Sequence, residues 1–229
     1  MLTSHANYPR TLHVWHITHN QPFCAGVILL HNGCLVVTLN SDGLPPARKE
    51  TWRIGGIGGS QRAGETIWDC ARREAREALC TDIILTSSLI TYFHDIDTGK
   101  TTEVSCMDNI APFLLERQSN LLPYTPYRPG LPAGPHTYFG LFFAQSEHER
   151  TPIQPGAGIA GLLFVPLKRW SLLQQYPTLE TMLQQGASII ERSPLPRSHR
   201  LWLPPGESIC TVASLLAWHP DLVVRQTFY

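Results

Sequence analysis

Glu74 and Glu77 stand three residues apart in a stretch whose apolar residues recur at helical spacing. On a helix that spacing makes their side chains neighbours, with Cβ atoms roughly 5–6 Å apart. Two carboxylates that close repel unless a cation lies between them. Arg73, four residues before Glu77, is one candidate; a hard divalent metal is the other. Magnesium keeps several waters and needs only one or two carboxylates when substrate phosphates supply the remaining oxygens. A pair of this kind suits hydrolysis by a metal-activated water.

The residues leading into this stretch fit the same purpose. Gly58 and Gly59 allow a tight turn and a close approach of backbone to ligand. Gly64-Glu65-Thr66 then opens the helix, with Thr66 as N-cap and Glu65 near the positive helix end. Trp68, Ala71, Ala75, Ala78 and Leu79 form a stripe of mostly small residues that permits close packing on a sheet. The side chains at 65, 74 and 77 are expected to converge on one cation-sized hollow beneath the glycine bend.

The run from Gly59 to Thr81 resembles the Nudix box: Gly, five residues, Glu, seven residues, then Arg-Glu-U-x-Glu-Glu-x-Gly-U, with U aliphatic. Five of the seven fixed positions match, namely Gly59, Glu65, Arg73, Glu74 and Glu77. At ordinary residue frequencies such a match arises by chance in under about one chain in a hundred. Trp52-Arg53-Ile54 before Gly58-Gly59 is similar to the family's W-x-L-P-G-G entry. Three positions depart from the pattern: Ala78 replaces the last carboxylate, Cys80 the glycine that ends the helix, and Thr81 an aliphatic residue. Glu147 and Glu149 are the nearest acids in the later loop that could make up the loss.

The resemblance covers residues 23–170. It implies an α/β/α sandwich with a mixed β-sheet, preceded by an N-terminal extension over 1–22 and followed by a C-terminal helical extension over 171–229. It also implies hydrolysis of a nucleoside diphosphate linked to another moiety. Glu74 and Glu77 would ligate magnesium or manganese, and Arg73 would hold a carboxylate, Glu65 or Glu77, in place. The alternative on the same fold is a weakly active or inactive nucleotide-binding module, which Ala78 and Cys80 favour.

These residues need a scaffold. Residues 25–31 and 34–39 read as strands joined by the turn His31-Asn32-Gly33. Residues 66–79 read as a helix; 83–85, 89–93, 137–145 and 161–166 read as strands. Residues 94–100 read as a hairpin turn rather than a calcium loop. Residues 107–136 form a long proline-rich connection, the kind of loop that serves as a lid or a binding element. Residues 177–192 and 207–219 read as helices, linked through proline-rich 194–205. The order predicts a mixed sheet with helices on both faces. The C-terminal helices could serve as a homodimer interface, a lid or an extension of the core.

The chain has 229 residues, 43% hydrophobic and 16% charged, with a formal net charge of zero. No basic excess points to duplex nucleic acid, because phosphate-backbone binding leaves a Lys/Arg footprint. A small nucleotide needs only local charges: Arg53, Arg62 and Lys49 could meet phosphates, and Tyr124, Tyr127 and Phe93 could stack on a base. The six cysteines form no C-x-x-C pair and read as buried free thiols. No stretch has the length of a transmembrane helix, so the expectation is a cytoplasmic protein without membrane attachment. His13, His16 and His19 flank Trp15 in what reads as an extended segment rather than a metal cluster.

Overall fold

A hairpin starts the sheet. Asn32 and Gly33 both adopt positive φ (48° and 73°), as a two-residue turn between right-twisted strands requires. They join Phe23–His31 to Cys34–Asn40. The computed structural model describes residues 11–146 and 152–222. In chain order its elements are β1 (Thr11–Leu12), α1 (Val14–Thr18), β2 (Phe23–His31), β3 (Cys34–Asn40), β4 (Thr51–Gly55), β5 (Ile57–Ser60) and α2 (Ile67–Leu79). There follow β6 (Ile83–Thr86), β7 (Thr91–Asp95), β8 (Lys100–Cys106), β9 (Leu114–Ser119), β10 (His136–Ser146) and β11 (Gly161–Pro166). A 3-10 helix at Leu167–Gln175, α3 (Leu179–Gln184), β12 (Ser188–Glu191), β13 (Arg200–Trp202) and α4 (Ser208–Trp218) complete the order.

The strands join one mixed sheet ordered β1-β8-β7-β9-β10-β2-β3-β11-β12. From this path, β4 pairs with β3 and β13, β5 pairs with β2, and β6 pairs with β10. The centre is the parallel pair β2 and β10, from Phe23 opposite Tyr138 to Leu29 opposite Ala144. Strand β2 is nearly all apolar because both of its faces are covered. Val27 and Leu29 point into a core shared with Ile67, Ala71, Ala75 and Leu79 of α2. Ile28 and Leu30 point the other way, into a core shared with Ile209, Val212 and Leu216 of α4 and with Leu179 and Met182 of α3. The result is the α/β/α layering expected from the sequence.

Helix α2 can lie close to the sheet because its inner face is small and Gly140 lies beneath it. A Cβ on Gly140 would sit 2.6 Å from Ile67 Cδ1. Thr66 caps the helix, accepting the Asp69 amide at 3.2 Å. At the far end, loop amides satisfy the last carbonyls: Gly156 N donates to Ala78 O (2.8 Å) and Gln154 N to Leu79 O (2.9 Å).

Several expectations are corrected. The segment Val14–Thr18 is a short helix, not extended, because the Asp108 carboxylate accepts the Val14 and Trp15 amides (2.6 and 3.4 Å) and so caps it. The connection 107–136 contains a strand, β9, paired with both β7 and β10. The helix expected over 177–192 is only α3. It stops at Gly186, whose φ is +92°, and the β-branched Ile189 and Ile190 then pair with β11. The proline-rich link includes β13, which lies parallel to β4. The C-terminal part is thus a mixture of helix and strand. Among the cysteines only Cys70 is buried, and Cys80 is exposed. Glu147 and Glu149 lie outside the described residues.

Cys80 occupies the left-handed C-cap of α2, at φ +53° and ψ +29°, with its amide bonded to Arg76 O. A side chain in that conformation is strained, and glycine is the usual occupant. Cys80→Gly is therefore expected to stabilise the protein by about 1 kcal/mol, read as a raised urea midpoint with an unchanged slope. A lowered midpoint would mean that the thiol's contact with the Pro155 carbonyl (3.8 Å) outweighs the backbone strain.

Candidate active site

The two glycines act through strand rather than turn geometry. Gly58 and Gly59 lie in β5, opposite Gly26 and Ala25 of β2. A Cβ on Gly58 would come within 2.7 Å of the Ala25 carbonyl oxygen and the Gly26 Cα. A Cβ on Gly59 would come within 2.6 Å of Glu74 Oε1. The close approach expected of Gly59 is therefore to the Glu74 carboxylate, which the missing side chain lets press against β5.

Glu65, Glu74 and Glu77 converge, and the Arg73 guanidinium stands at their centre. Its Nε donates to Glu65 Oε1 (2.6 Å) and one Nη to Glu65 Oε2 (3.0 Å), a two-point grip. The other Nη donates to Glu74 Oε1 (2.5 Å) and lies 3.6 Å from Glu77 Oε2. A further bond runs to the Ser60 carbonyl (2.9 Å), tying helix to strand. Arg73, Glu65 and Glu74 retain under a fifth of their side-chain exposure, whereas Glu77 keeps half. The Glu65 carboxylate also accepts the Arg62 amide (2.8 Å), and the Arg62 guanidinium reaches Glu77 Oε1 (2.9 Å).

Bonding to Arg73 holds the Glu65 carboxyl below its ordinary range, against the opposing effect of burial. The same bond, together with that to Glu74, raises the Arg73 pKa and keeps the group cationic. Burial pushes the neighbouring Cys70 thiol up to about 12, so it is not a nucleophile at neutral pH. Three carboxylates against two guanidinium groups leave one formal negative charge. Glu74 Oε2 takes no hydrogen bond among the described residues, and Glu77 is open to solvent on one side. Position 78 is filled by a buried Ala78 in the apolar core. Among the described residues no group of three His, Cys, Asp or Glu side chains is placed to hold a metal.

The remaining sequence candidates scatter. Arg53 is taken up by Glu207 (3.2 Å) and the Asp42 carbonyl (3.2 Å), so its expected phosphate role loses its basis. Phe93 is buried in the core beneath Arg117 and cannot stack on a ligand. Tyr124 projects into solvent; Tyr127 lines a cavity of about 600 Å³ between the proline-rich loop and the ends of the central strands. That cavity begins at Ser60 and Gln61, next to the Arg73 cluster, and its floor includes Phe139 of β10. A smaller cavity of about 180 Å³ continues from Cys24 and Phe139 over Gly26 and Gly58 to Glu207 and Ser208 at the start of α4. Sequence reading missed Gln118 and Phe139 of the first cavity. It also missed Glu116, whose buried carboxyl accepts the Ser208 hydroxyl and is pushed up by burial. Two of the three sit on the overlooked strand β9, where the polar residues of Leu-Leu-Glu-Arg-Gln-Ser were the available signal.

No family model matches the chain, and no curated protein matches it. Solved structures similar to it include a NUDIX hydrolase from Nitrosomonas europaea, 9% identical over 86% of this chain and 90% of its own, with a TM-score of 0.39. A second NUDIX hydrolase structure from that organism is 11% identical with a TM-score of 0.34; the match covers 62% of this chain but only 55% of that one. An Ap4A hydrolase complex from C. elegans is 13% identical over 72% of this chain and 93% of its own, with a TM-score of 0.37. What the site can do is read from the chain's own residues.

Two tests follow from the geometry. Gly59→Ala forces Glu74 away from β5 and from Arg73, and it is expected to cost about 1–3 kcal/mol of stability. In a Glu74→Ala background the same change should cost far less, and equal costs in both backgrounds would remove the proposed clash. Glu65 carries the second test. Its folded-state pKa is depressed, so its contribution is present above the ordinary glutamate value of about 4.3 and is lost as pH falls through the lowered value. Urea unfolding of wild type and Glu65→Gln should therefore differ by a constant amount above about pH 5 and converge in acid. Parallel curves down to the lowest pH would show that the grip of Arg73 on Glu65 adds nothing.

Proposed function

We propose that the protein is a Nudix-type hydrolase that cleaves the pyrophosphate bond of a nucleoside diphosphate linked to another moiety. The observation that carries this reading is the meeting of Glu65, Arg73, Glu74 and Glu77, four residues at the box offsets, on one patch beside Gly59. A surface helix with mixed charges accounts for exposed pairs such as Arg72 with Asp69. It does not account for an arginine drawn into a half-enclosed fork with two carboxylates and a strand carbonyl.

The donor set fits magnesium or manganese as two hard carboxylates, Glu74 and Glu77, completed by substrate phosphates and water. When bound, such an ion supplies charge stabilisation at the phosphoryl oxygens and lowers the pKa of a water. The chain's own groups have distinct tasks. Arg73 fixes Glu74 against β5. Glu77, half-exposed and paired with Arg62, would accept a proton from an attacking water once that surface pair opens. Arg62 pairs with Glu77 at the surface, where an ion pair is weak and easily exchanged. Arg62 could therefore leave Glu77 and turn toward substrate phosphates were Glu77 to hold an ion, while the Arg73 fork stays closed.

A second reading, a nucleotide-binding module with weak or no turnover, is favoured by Ala78 and by the absence of a three-ligand group among the described residues. Phosphate release from a panel of nucleoside diphosphate derivatives, with magnesium or manganese, separates the two. Wild type is expected to turn over at least one substrate only with metal present, and Glu77→Gln to lose on the order of a hundredfold. Binding without turnover under both metals would select the second reading.

A further inference from the structure

A second cluster of charge gathers at the start of β4, and none of its residues lines either cavity. Arg200 and Trp202 project from one side of β13, while Leu201 between them is buried in the core. Tyr176 stands beside them, its hydroxyl 3.4 Å from Thr51 Oγ1. Arg48, from the loop joining β3 to β4, lays its guanidinium against both rings. Its central carbon is 4.7 Å from the ring centroid of Tyr176 and 4.7 Å from that of Trp202. The Arg200 guanidinium approaches the same Tyr176 ring at 5.9 Å and donates to the Tyr176 carbonyl (2.8 Å).

Rings that stack on a guanidinium cover its faces, and its N–H donors all lie in its plane. Stacking therefore fixes Arg48 without spending a donor. Among the described residues the Arg48 side chain makes no hydrogen bond and no ion pair. Arg200 spends one Nη on a neutral carbonyl and pairs with no acid among them. Arg53, further along the same side of β4, is by contrast neutralised by Glu207 at 3.2 Å and Asp42 at 3.9 Å. Glu50, the acid closest to Arg48 in sequence, is exposed and pairs with neither guanidinium. Two like charges gathered on one ring repel, and no described acid offsets them. The backbone is bent toward the same place. Tyr176 (φ +58°) and Glu50 (φ +51°) both adopt the left-handed region that glycine suits better. Arg200 ties the two together, since its amide donates to the Glu50 carbonyl (3.0 Å) and its side chain to that of Tyr176. Strain of this kind persists where a site needs the side chain.

We propose that Arg48 and Arg200 form a binding site for a phosphate dianion, with Arg48 gripping two phosphate oxygens along its free edge. A planar fork matches that geometry, and the two rings hold it oriented beforehand, so little side-chain freedom is lost on binding. Two uncompensated cations match a dianion better than they match the single charge of a carboxylate. The site shares no residue with the Arg73 cluster. It is therefore independent of the hydrolase reading and needs neither metal nor turnover.

Calorimetric titration of the full, metal-free chain at low ionic strength tests the site, with inorganic phosphate and glycerol 3-phosphate as probes and acetate as the singly charged control. Both phosphates are expected to bind and acetate to bind more weakly. A tighter ester would assign the site to a phosphate monoester, and equal affinities to free phosphate. Arg48→Ala is expected to weaken phosphate binding by about tenfold or more, the usual worth of a charge-assisted bond. Arg48→Lys should not restore it, because an ammonium keeps the charge but not the planar fork. Arg72→Ala removes an equal charge on α2 and should leave the affinity unchanged. Tyr176→Gly suits the left-handed backbone, so it keeps the fold while removing the ring under Arg48, and it too should weaken binding. The proposal is overturned if wild type binds neither phosphate or binds acetate as tightly. It is equally overturned if Arg48→Ala or Tyr176→Gly leaves binding unaltered, or if Arg72→Ala lowers it as much. Failure here would leave the hydrolase reading untouched, and absence of turnover would leave this site untouched.

Discussion

A single guanidinium organises the site. Arg73 has five donors in a fixed plane, and the fold spends them on groups from three places: the loop acid Glu65, its helix neighbour Glu74 and the strand carbonyl of Ser60. A lysine's three donors all sit on one nitrogen and could not span groups set this far apart. The planar fork sets loop, helix and strand at fixed distances from one another, and Gly59 is the position where a side chain would prevent it. The carboxylates are thus positioned by a cation that belongs to the chain, before any other cation is considered.

That arrangement divides the acids by burial. Glu65 and Glu74 are enclosed with Arg73, where charge-assisted bonds are short and a lost partner leaves an uncompensated charge. Glu77 lies outside, half-exposed, sharing Arg62 at the surface. The enclosed pair holds its geometry, and the outer one can exchange partners. The sheet supports this division, because the close packing of α2 on β2, β5 and β10 depends on small or absent side chains at Ala71, Ala75, Gly59 and Gly140.

The sequence disclosed the site better than its surroundings, for physical reasons. The helix, its Thr66 cap and the offsets of the four charged residues are local properties, encoded within about twenty residues. The β2–β3 hairpin is local too, set by Asn32 and Gly33. Strands β9, β12 and β13 are not: β9 is apolar only in its first two residues and becomes a strand because β7 and β10 flank it. Ile189 and Ile190 fit a helical stripe as well as a strand, and only Gly186 and the free edge of β11 decide between them. The placement of Arg53 with Glu207 depends on residues 154 positions apart, beyond any local pattern.

The departures from the box become intelligible at the helix end. Where a glycine would normally release the chain, α2 ends on Cys80, and its last carbonyls are closed by the amides of Gln154 and Gly156. Gly156 lies so close that a Cβ there would overlap the Glu77 carbonyl. Ala78 belongs to the apolar core against which Ile153 and Ile159 pack. A glutamate at 78 would have to bring its charge into that seam or force the loop away, and either is costly without a partner. The alanine at 78 and the docking of residues 154–156 are therefore one structural choice: the helix end is sealed by backbone, and the outward acids of the helix that remain beside Arg73 are Glu74 and Glu77. On the proposed hydrolase reading, a site with two carboxylates would lean on the oxygens of its ligand to complete the shell of a hard cation.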